Sequence, residues 1–195
     1  MKKTFTILLI LFCTHAFAQD SLKYFNKLRI NTTSSGMEVL GGWGIVNLGT
    51  GAIGWSSSSN HEVRYFFQMN TIWGAVDFGT GLLGYASIQK YRKKTLTAAE
   101  TLEQQKRLEK IFLINGALDI AYIGTGTYLK LVGDSRHSPI MKGYGESILL
   151  QGGFLLIFDG LMYHAEKSNG TKLRNFLEKH PISFDGHRVG TVFNL

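Results

Sequence analysis

Cysteine and proline are almost missing from this chain, which has one cysteine and two prolines in 195 residues. A single thiol excludes a disulfide framework and a thiolate-held metal cluster. Two prolines beside twenty-three glycines exclude a disordered or low-complexity chain. Charge is scarce too, at 18% of positions, while 44% are hydrophobic. Mean hydropathy is nevertheless only +0.01, so apolar stretches must alternate with strongly polar ones. One domain is expected at this length.

Basic side chains are what the apolar stretches lack most. Four glycine-rich segments, 36–56, 65–89, 111–132 and 143–165, contain a single Lys or Arg, Lys130. Each is near the roughly 20 residues that cross a hydrocarbon core, and Lys130 lies at an end, where a long side chain snorkels outward. Trp43, Trp55, Tyr65, Tyr85, Tyr91, Tyr128, Tyr144 and Tyr163 fall mostly near segment ends, as an interfacial aromatic belt does. Soluble helices carry a charged stripe; these do not. The sequence therefore predicts an all-α fold, an antiparallel four-helix transmembrane bundle of repeated glycine-rich helices, with a short amphipathic C-terminal tail over 166–195.

Residues 1–18 run from a basic start (Lys2, Lys3) through an apolar stretch (Phe5 to Cys13) to a small-residue exit at Ala16 and Ala18. This is the pattern of a secretory signal peptide, with cleavage expected after Ala18. Cys13 leaves with it, and the formal charge falls from +7 to +5 as Lys2 and Lys3 are lost. Residues 19–35 then form an extramembrane segment.

Two segments are copies. Trp43 to Trp55 reads WGIVNLGTGAIGW and Trp73 to Tyr85 reads WGAVDFGTGLLGY, thirty positions later. Weaker echoes follow in NGALDIAYIGTG (Asn115 to Gly126) and GGFLLIFDG (Gly152 to Gly160). Both strong copies contain G-x-G-x-x-G, at Gly49, Gly51, Gly54 and at Gly79, Gly81, Gly84. A dinucleotide fingerprint needs a preceding strand and a following helix, whereas these glycines lie within apolar helix-length runs. The expectation is helix packing, with Thr50 and Gly54, and Thr80 and Gly84, as small residues four apart on one face.

Each segment also carries a carboxylate or carboxamide within its apolar run: Asn47, Asp77, Asp119 and Asp159. A central Asp costs roughly 2.5 to 3.5 kcal/mol to insert, so these positions demand a physical reason. Counted inward from the side of the mature N-terminus at about 1.5 Å per residue, Asp159 lies roughly 9 Å deep, Asp119 about 12 Å, Asn47 about 16 Å and Asp77 about 18 Å. One interior polar cluster is expected, comprising Asn47, Asn70, Asp77, Asn115, Asp119, Gln151 and Asp159, with His164 at its rim. No basic side chain lies beside the acids, so they must hold protons, accept hydrogen bonds or hold a cation. The duplicate of Asp77 is Asn47, which cannot titrate, and this favours interhelical hydrogen bonding.

The polar regions divide unevenly. Lys90 to Lys110 holds seven basic and three acidic residues, and Thr97 with Glu100 forms a capping box that starts a helix running into the third segment. Glu103 and Arg107 support that helix at i, i+4. Leu173, Phe176 and Leu177 suggest an amphipathic helix lying on headgroups, and Ile182 to Leu195 a hairpin turning at Asp185 and Gly186. A cleaved signal places the basic side outside, where 15 Lys and Arg face four on the other side. The positive-inside rule places it in the cytoplasm. The signal is taken to dominate, leaving the basic face to meet anionic headgroups or acidic partners.

Other chemistries lack their residues. Haem ligation by two histidines fails because His164 is the one histidine in a segment. His180, Asp185 and His187 have no zinc spacing, and no Ser sits in a nucleophile elbow. No metal or cofactor is expected, and nucleic acid is excluded as a partner for an exported apolar chain.

The stretches GMEVLGGWGIVNLGTG, MNTIWGAVDFG, NGALDIAYIG and GYGESILLQGGFLLIFDG, over about Gly36 to His164, resemble an uncharacterised family of small bacterial membrane proteins, a domain of unknown function. The resemblance implies a signal peptide and a helical membrane architecture, and carries no activity. The expectation is a multi-pass protein of a bacterial cell membrane, with the bilayer and other membrane proteins as partners, in a structural or accessory role. The alternatives are a small transporter or proton- or cation-linked channel using Asp77, Asp119 and Asp159, and a membrane enzyme with an outward-opening pocket around Asp119, Asp159 and His164.

Overall fold

In the computed structural model the backbone is described for residues 2–179, 182–184 and 189–191, and side-chain surroundings for residues 20–179. The Cys13 side chain, and His180, Asp185, His187 and the turn at Asp185 and Gly186, lie outside the described residues. Four helices account for nearly all of it: α1 (Lys2–Ser57), α2 (His61–Gln89), α3 (Ala98–Ser135) and α4 (Pro139–Lys179). Two short strands, β1 (Ile182–Phe184) and β2 (Val189–Thr191), pair antiparallel with Ile182 opposite Thr191. The four apolar segments each fall inside one helix. The backbone of residues 2–19 continues α1.

Local chemistry sets the helix starts. Asn60 caps α2, its side chain accepting from the backbone N–H groups of Glu62 (2.9 Å) and Val63 (3.3 Å). The capping box of α3 is formed: Thr97 Oγ1 accepts from Glu100 N at 3.2 Å, and Glu100 Oε2 accepts from Thr97 N at 2.8 Å. His137, with φ of 51°, supplies the left-handed residue of the short connection from α3 to α4.

Packing is built on two antiparallel hairpins, α1 with α2 and α3 with α4. In each, two helices approach until glycine faces glycine. A Cβ on Gly74 would lie 2.5 Å from Leu48 N and 2.8 Å from Gly44 O, and one on Gly44 would strike Phe78 N. In the second hairpin a Cβ on Gly145 would lie 2.5 Å from Lys130 N and 2.8 Å from Gly126 O. Gly51 and Gly81 continue the first seam, Gly133 and Gly152 the second, each seven residues from its partner, two helical turns on. The face predicted at Thr50, Gly54, Thr80 and Gly84 is thus displaced. Thr50 and Thr80 are exposed, Thr50 donating to its own Val46 carbonyl at 2.7 Å. Gly54 and Gly84 meet the Phe67 ring and the Met37 sulfur at the seam's margin. Only glycine permits backbone-to-backbone contact, so 44/51 and 74/81 take the centre.

The hairpins join where α4 lies parallel to α2 and antiparallel to α1, while α2 and α3 pack on their neighbours rather than on each other. At one end α1, α3 and α4 run beyond α2 and form a head, where Leu22, Ala98, Leu173 and Leu177 are buried together and Phe25 packs on Phe176. The amphipathic stretch around Leu173, Phe176 and Leu177 is therefore a continuation of α4 with its apolar face inside the head, not a separate surface helix. At the opposite end Lys142 pairs with Glu62 (2.9 Å) and Asp134 (3.1 Å), and Lys130 with Asp134 (3.2 Å) and Glu146 (3.5 Å). These lysines hold the Asp134 carboxyl below the usual carboxylate range.

The distribution of polarity is inverted in the middle of the bundle. Ile53, Leu83, Ile120, Leu131, Ile157 and Leu161 are all at least 63% exposed, while Asn47, Asn70, Asp77, Asp119, Ser147, Gln151 and Asp159 are buried. By length and composition α4 is long and apolar enough to cross a membrane, and among the described residues it is the one helix that is.

The seams predict a position-dependent response. Gly74→Ala or Gly145→Ala destabilises the full chain by about 1–3 kcal/mol, the cost of overpacking. Gly79→Ala and Gly116→Ala, with nothing within 4 Å of the added carbon, are neutral or gain up to about 1 kcal/mol of helix propensity. Thermal unfolding of the four purified variants reads the difference, and equal losses at all four positions would contradict it.

Candidate functional site

The buried polar residues form two tiers rather than one band. The first is an amide network centred on Gln151, which is 0% exposed. Its Oε1 accepts from Trp43 Nε1 at 2.7 Å, and its Nε2 donates to Asn47 Oδ1 (2.8 Å) and Asn70 Oδ1 (2.9 Å). Ser147 Oγ also donates to Asn70 Oδ1 at 2.7 Å, and Asn47 Nδ2 donates to the Trp43 carbonyl at 2.8 Å. Trp43 stacks on Phe154 with ring centroids 4.1 Å apart. This tier ties α1, α2 and α4 together with both ends of Gln151 engaged, which is what a buried amide requires.

The second tier lies toward the head, Asp159 being eight residues or about 12 Å farther along α4 than Gln151. Asp77, Asp119 and Asp159 are 3%, 2% and 4% exposed. The carboxyls of Asp119 and Asp159 lie side by side, the half-buried Asn115 lies beside Asp159, and Asp77 is close enough to Asp119 for their charges to interact. No group of three or more His, Cys, Asp or Glu arranged to hold a metal ion occurs among the described residues. His164 is exposed and lies outside both tiers: it shares α4 with Asp159 but sits five residues on, which turns it to the outer face.

All three carboxylates line one cavity of about 720 Å³ between α2 and α3, floored by α1 and α4. The edge-to-face pair Trp73–Tyr122, with centroids 5.1 Å apart, bridges α2 and α3 at its amide-tier end. Its other end is in the head, among Arg29, Lys90, Tyr91, Gln104 and Arg107. Leu83 (70% exposed) and Val76 (51%) belong both to the cavity wall and to the outer surface, so the cavity also opens sideways.

Arg29 was not predicted as a site residue, and it is 1% exposed. Its NH2 donates to Asn26 Oδ1 at 3.1 Å, its guanidinium lies 5.2 Å from the Tyr91 ring centroid, and burial lowers its pKa against the opposing pull of Glu166 and Tyr91. The Glu166 oxygens are taken by Thr33 Oγ1 (2.8 Å) and Gln105 Nε2 (2.9 Å). Among the described residues, the buried side-chain polar atoms without a hydrogen-bond partner are Arg29 Nε, Asp77 Oδ2, Asp119 Oδ2 and Asp159 Oδ1. All belong to residues of the cavity wall. Sequence reasoning supplied the acids from their isolation in apolar runs. It missed Arg29, whose neighbours Lys23 and Lys27 make it look like one more solvated charge.

No curated protein and no solved structure matches this chain. The model of the Family of unknown function (DUF6992) matches residues 39–160, a span that takes in both glycine seams, the amide tier and the three carboxylates, and the chain belongs to that family.

Proposed function

We propose that this protein is exported by a cleaved signal peptide into a bacterial cell membrane, spans it with the four segments, and acts as a small carrier or channel. In this reading a ligand occupies the cavity between α2 and α3 while Asp77, Asp119 and Asp159 hold a proton or cation. The observation that carries the proposal is the coincidence of orphaned polar atoms and cavity: buried polar groups are ordinarily bonded, and here the unbonded ones converge on one space. A cavity of this size is within the roughly 300–1,000 Å³ of ligand sites.

The membrane part of the reading draws on the inverted polarity. Aliphatic side chains standing 50–70% exposed around a polar interior would be costly in water, where contiguous exposed apolar patches are small, and are the natural arrangement in lipid. The Asp-bearing helices are poor inserters by composition and gain their place through the hydrogen bonds and close backbone contacts of the bundle. An accessory, purely structural role suits the amide tier, whose groups are satisfied, but leaves the carboxylates unexplained. A membrane enzyme loses the His164 that it needed beside Asp159.

The signal orients the head, with its basic residues, outside the cytoplasm. In chains stripped of Cys13, Lys94→Cys is then labelled in intact cells by a maleimide that crosses the outer but not the inner membrane, and Arg136→Cys is not. The reverse pattern overturns the orientation.

The two tiers separate in reconstituted vesicles. Wild-type protein carries a proton current that a pH-sensitive dye inside reports, and Asp119→Asn abolishes it while the thermal unfolding midpoint stays within a few degrees. Gln151→Leu does the converse: it leaves the Asn47 oxygen and the Trp43 N–H without their partner, lowers stability by about 1–3 kcal/mol and does not abolish proton movement per folded molecule. A wild-type flux equal to that of protein-free vesicles sinks the carrier reading.

A further inference from the structure

The cavity has two unlike ends, and the difference identifies what fits it. At the head end three cations line the wall: Arg29, Lys90 and Arg107. Arg29 is buried, and among the described residues no carboxylate lies within ion-pairing distance of it. Its nearest acid, Glu166, has both oxygens engaged by Thr33 and Gln105. A buried guanidinium with an unused N–H beside two further cations is a receptor for an oxyanion, since guanidinium matches phosphate and carboxylate geometry and is strongest when desolvated.

The rest of the wall is long and apolar. Lining residues run along α2 from Trp73 to Ile88, fifteen residues or about 22 Å. That exceeds the roughly 15 Å covered by the chains of one leaflet in a core of about 30 Å. Leu40, Val76, Leu83, Ile111, Leu118 and Leu155 form its sides. Because α2 and α3 stand apart on the head side of the Trp73–Tyr122 contact, the slot is open laterally where Val76, Leu83, Ile111 and Leu118 are exposed. A soluble anion would have no use for these walls or for a side entrance.

We infer that the cavity takes an anionic membrane amphiphile, its phosphate or carboxylate head against Arg29, Lys90 and Arg107 and its hydrocarbon chain in the slot between α2 and α3, entering sideways from the lipid. The head then lies at the basic extramembrane end and the chain tip reaches the carboxylate tier and Trp73. This rests on the carrier reading and names the ligand class of the same cavity.

Trp73 supplies the test. The full chain is reconstituted in phosphatidylcholine vesicles containing phosphatidic acid brominated near the chain end, or brominated phosphatidylcholine at equal mole fraction, and tryptophan quenching is measured. Phosphatidic acid is expected to quench at a several-fold lower mole fraction. The double variant Lys90→Gln, Arg107→Gln, which alters exposed residues and keeps the wild-type unfolding midpoint, reduces that preference about tenfold, and Arg29→Lys retains more of it than Arg29→Gln. Millimolar inorganic phosphate leaves it in place. Equal quenching by the two lipids overturns the proposal, as does a double variant with undiminished preference. Displacement by phosphate alone reduces the site to a simple anion site and overturns the amphiphile. Preferential quenching without proton flux removes the carrier reading and leaves this site standing, whereas flux without preference does the opposite.

Discussion

The two helices of each hairpin meet backbone to backbone. Gly44 against Gly74 and Gly126 against Gly145 bring two helix axes together at points where a single methyl group has no room, and every other arrangement follows from those two seams. With α1 pinned to α2 and α3 to α4, the polar side chains of each pair are carried inward, and the two hairpins meet along α4. A bundle held by larger apolar residues would have more distant axes and a conventional core. Here the interior is thin, and amides, hydroxyls and carboxyls share it with a small apolar cluster of Met37, Leu40, Phe112, Leu155, Phe158 and Met162.

That thinness divides the interior into unequal parts. Where α1, α2 and α4 converge, Gln151, Asn47, Asn70 and Ser147 satisfy each other, and Trp43 closes the remaining acceptor. Where α2 and α3 part, Asp77, Asp119 and Asp159 each keep one oxygen without a hydrogen-bond partner and face a space. Duplication makes the contrast legible: Asn47 and Asp77 occupy the same place in two copies of one motif, yet the first is enclosed on three sides and the second is left with an oxygen unbonded. The same repeat is closed by hydrogen bonds in one copy and opens onto the cavity in the other.

Much of this was readable in the chain. Runs of twenty-odd residues without Lys or Arg marked the four helices, Thr97 and Glu100 marked the start of α3, and lone acids in apolar surroundings marked the interior. Register was harder. A helix bearing glycines at 44, 49, 51 and 54 offers several small faces, and only the partner helix decides which is used, so the seam fell one face away from Thr50 and Thr80. The head was hidden for a different reason. Residues 20–35, 98–110 and 166–179 each look like solvated charged helices, and the few apolar positions that bury one another, such as Leu22, Leu173 and Leu177, are far apart in sequence. Arg29 and Glu166 became interior residues through that assembly, and His164, one turn beyond Asp159, was left outside by it.

The satisfied amide layer has a consequence for anything that moves through the protein. It lies between the carboxylate-lined chamber and the end clamped by Lys142, so the chamber resembles a cup with the Gln151 layer below its base. In the carrier reading, a proton or ion bound for the far side would have to part that one side chain from its three partners, Trp43, Asn47 and Asn70, which keeps the leak small when nothing occupies the cup. Rotation of Gln151 would thus be the gating coordinate, and the rest of the scaffold can stay rigid.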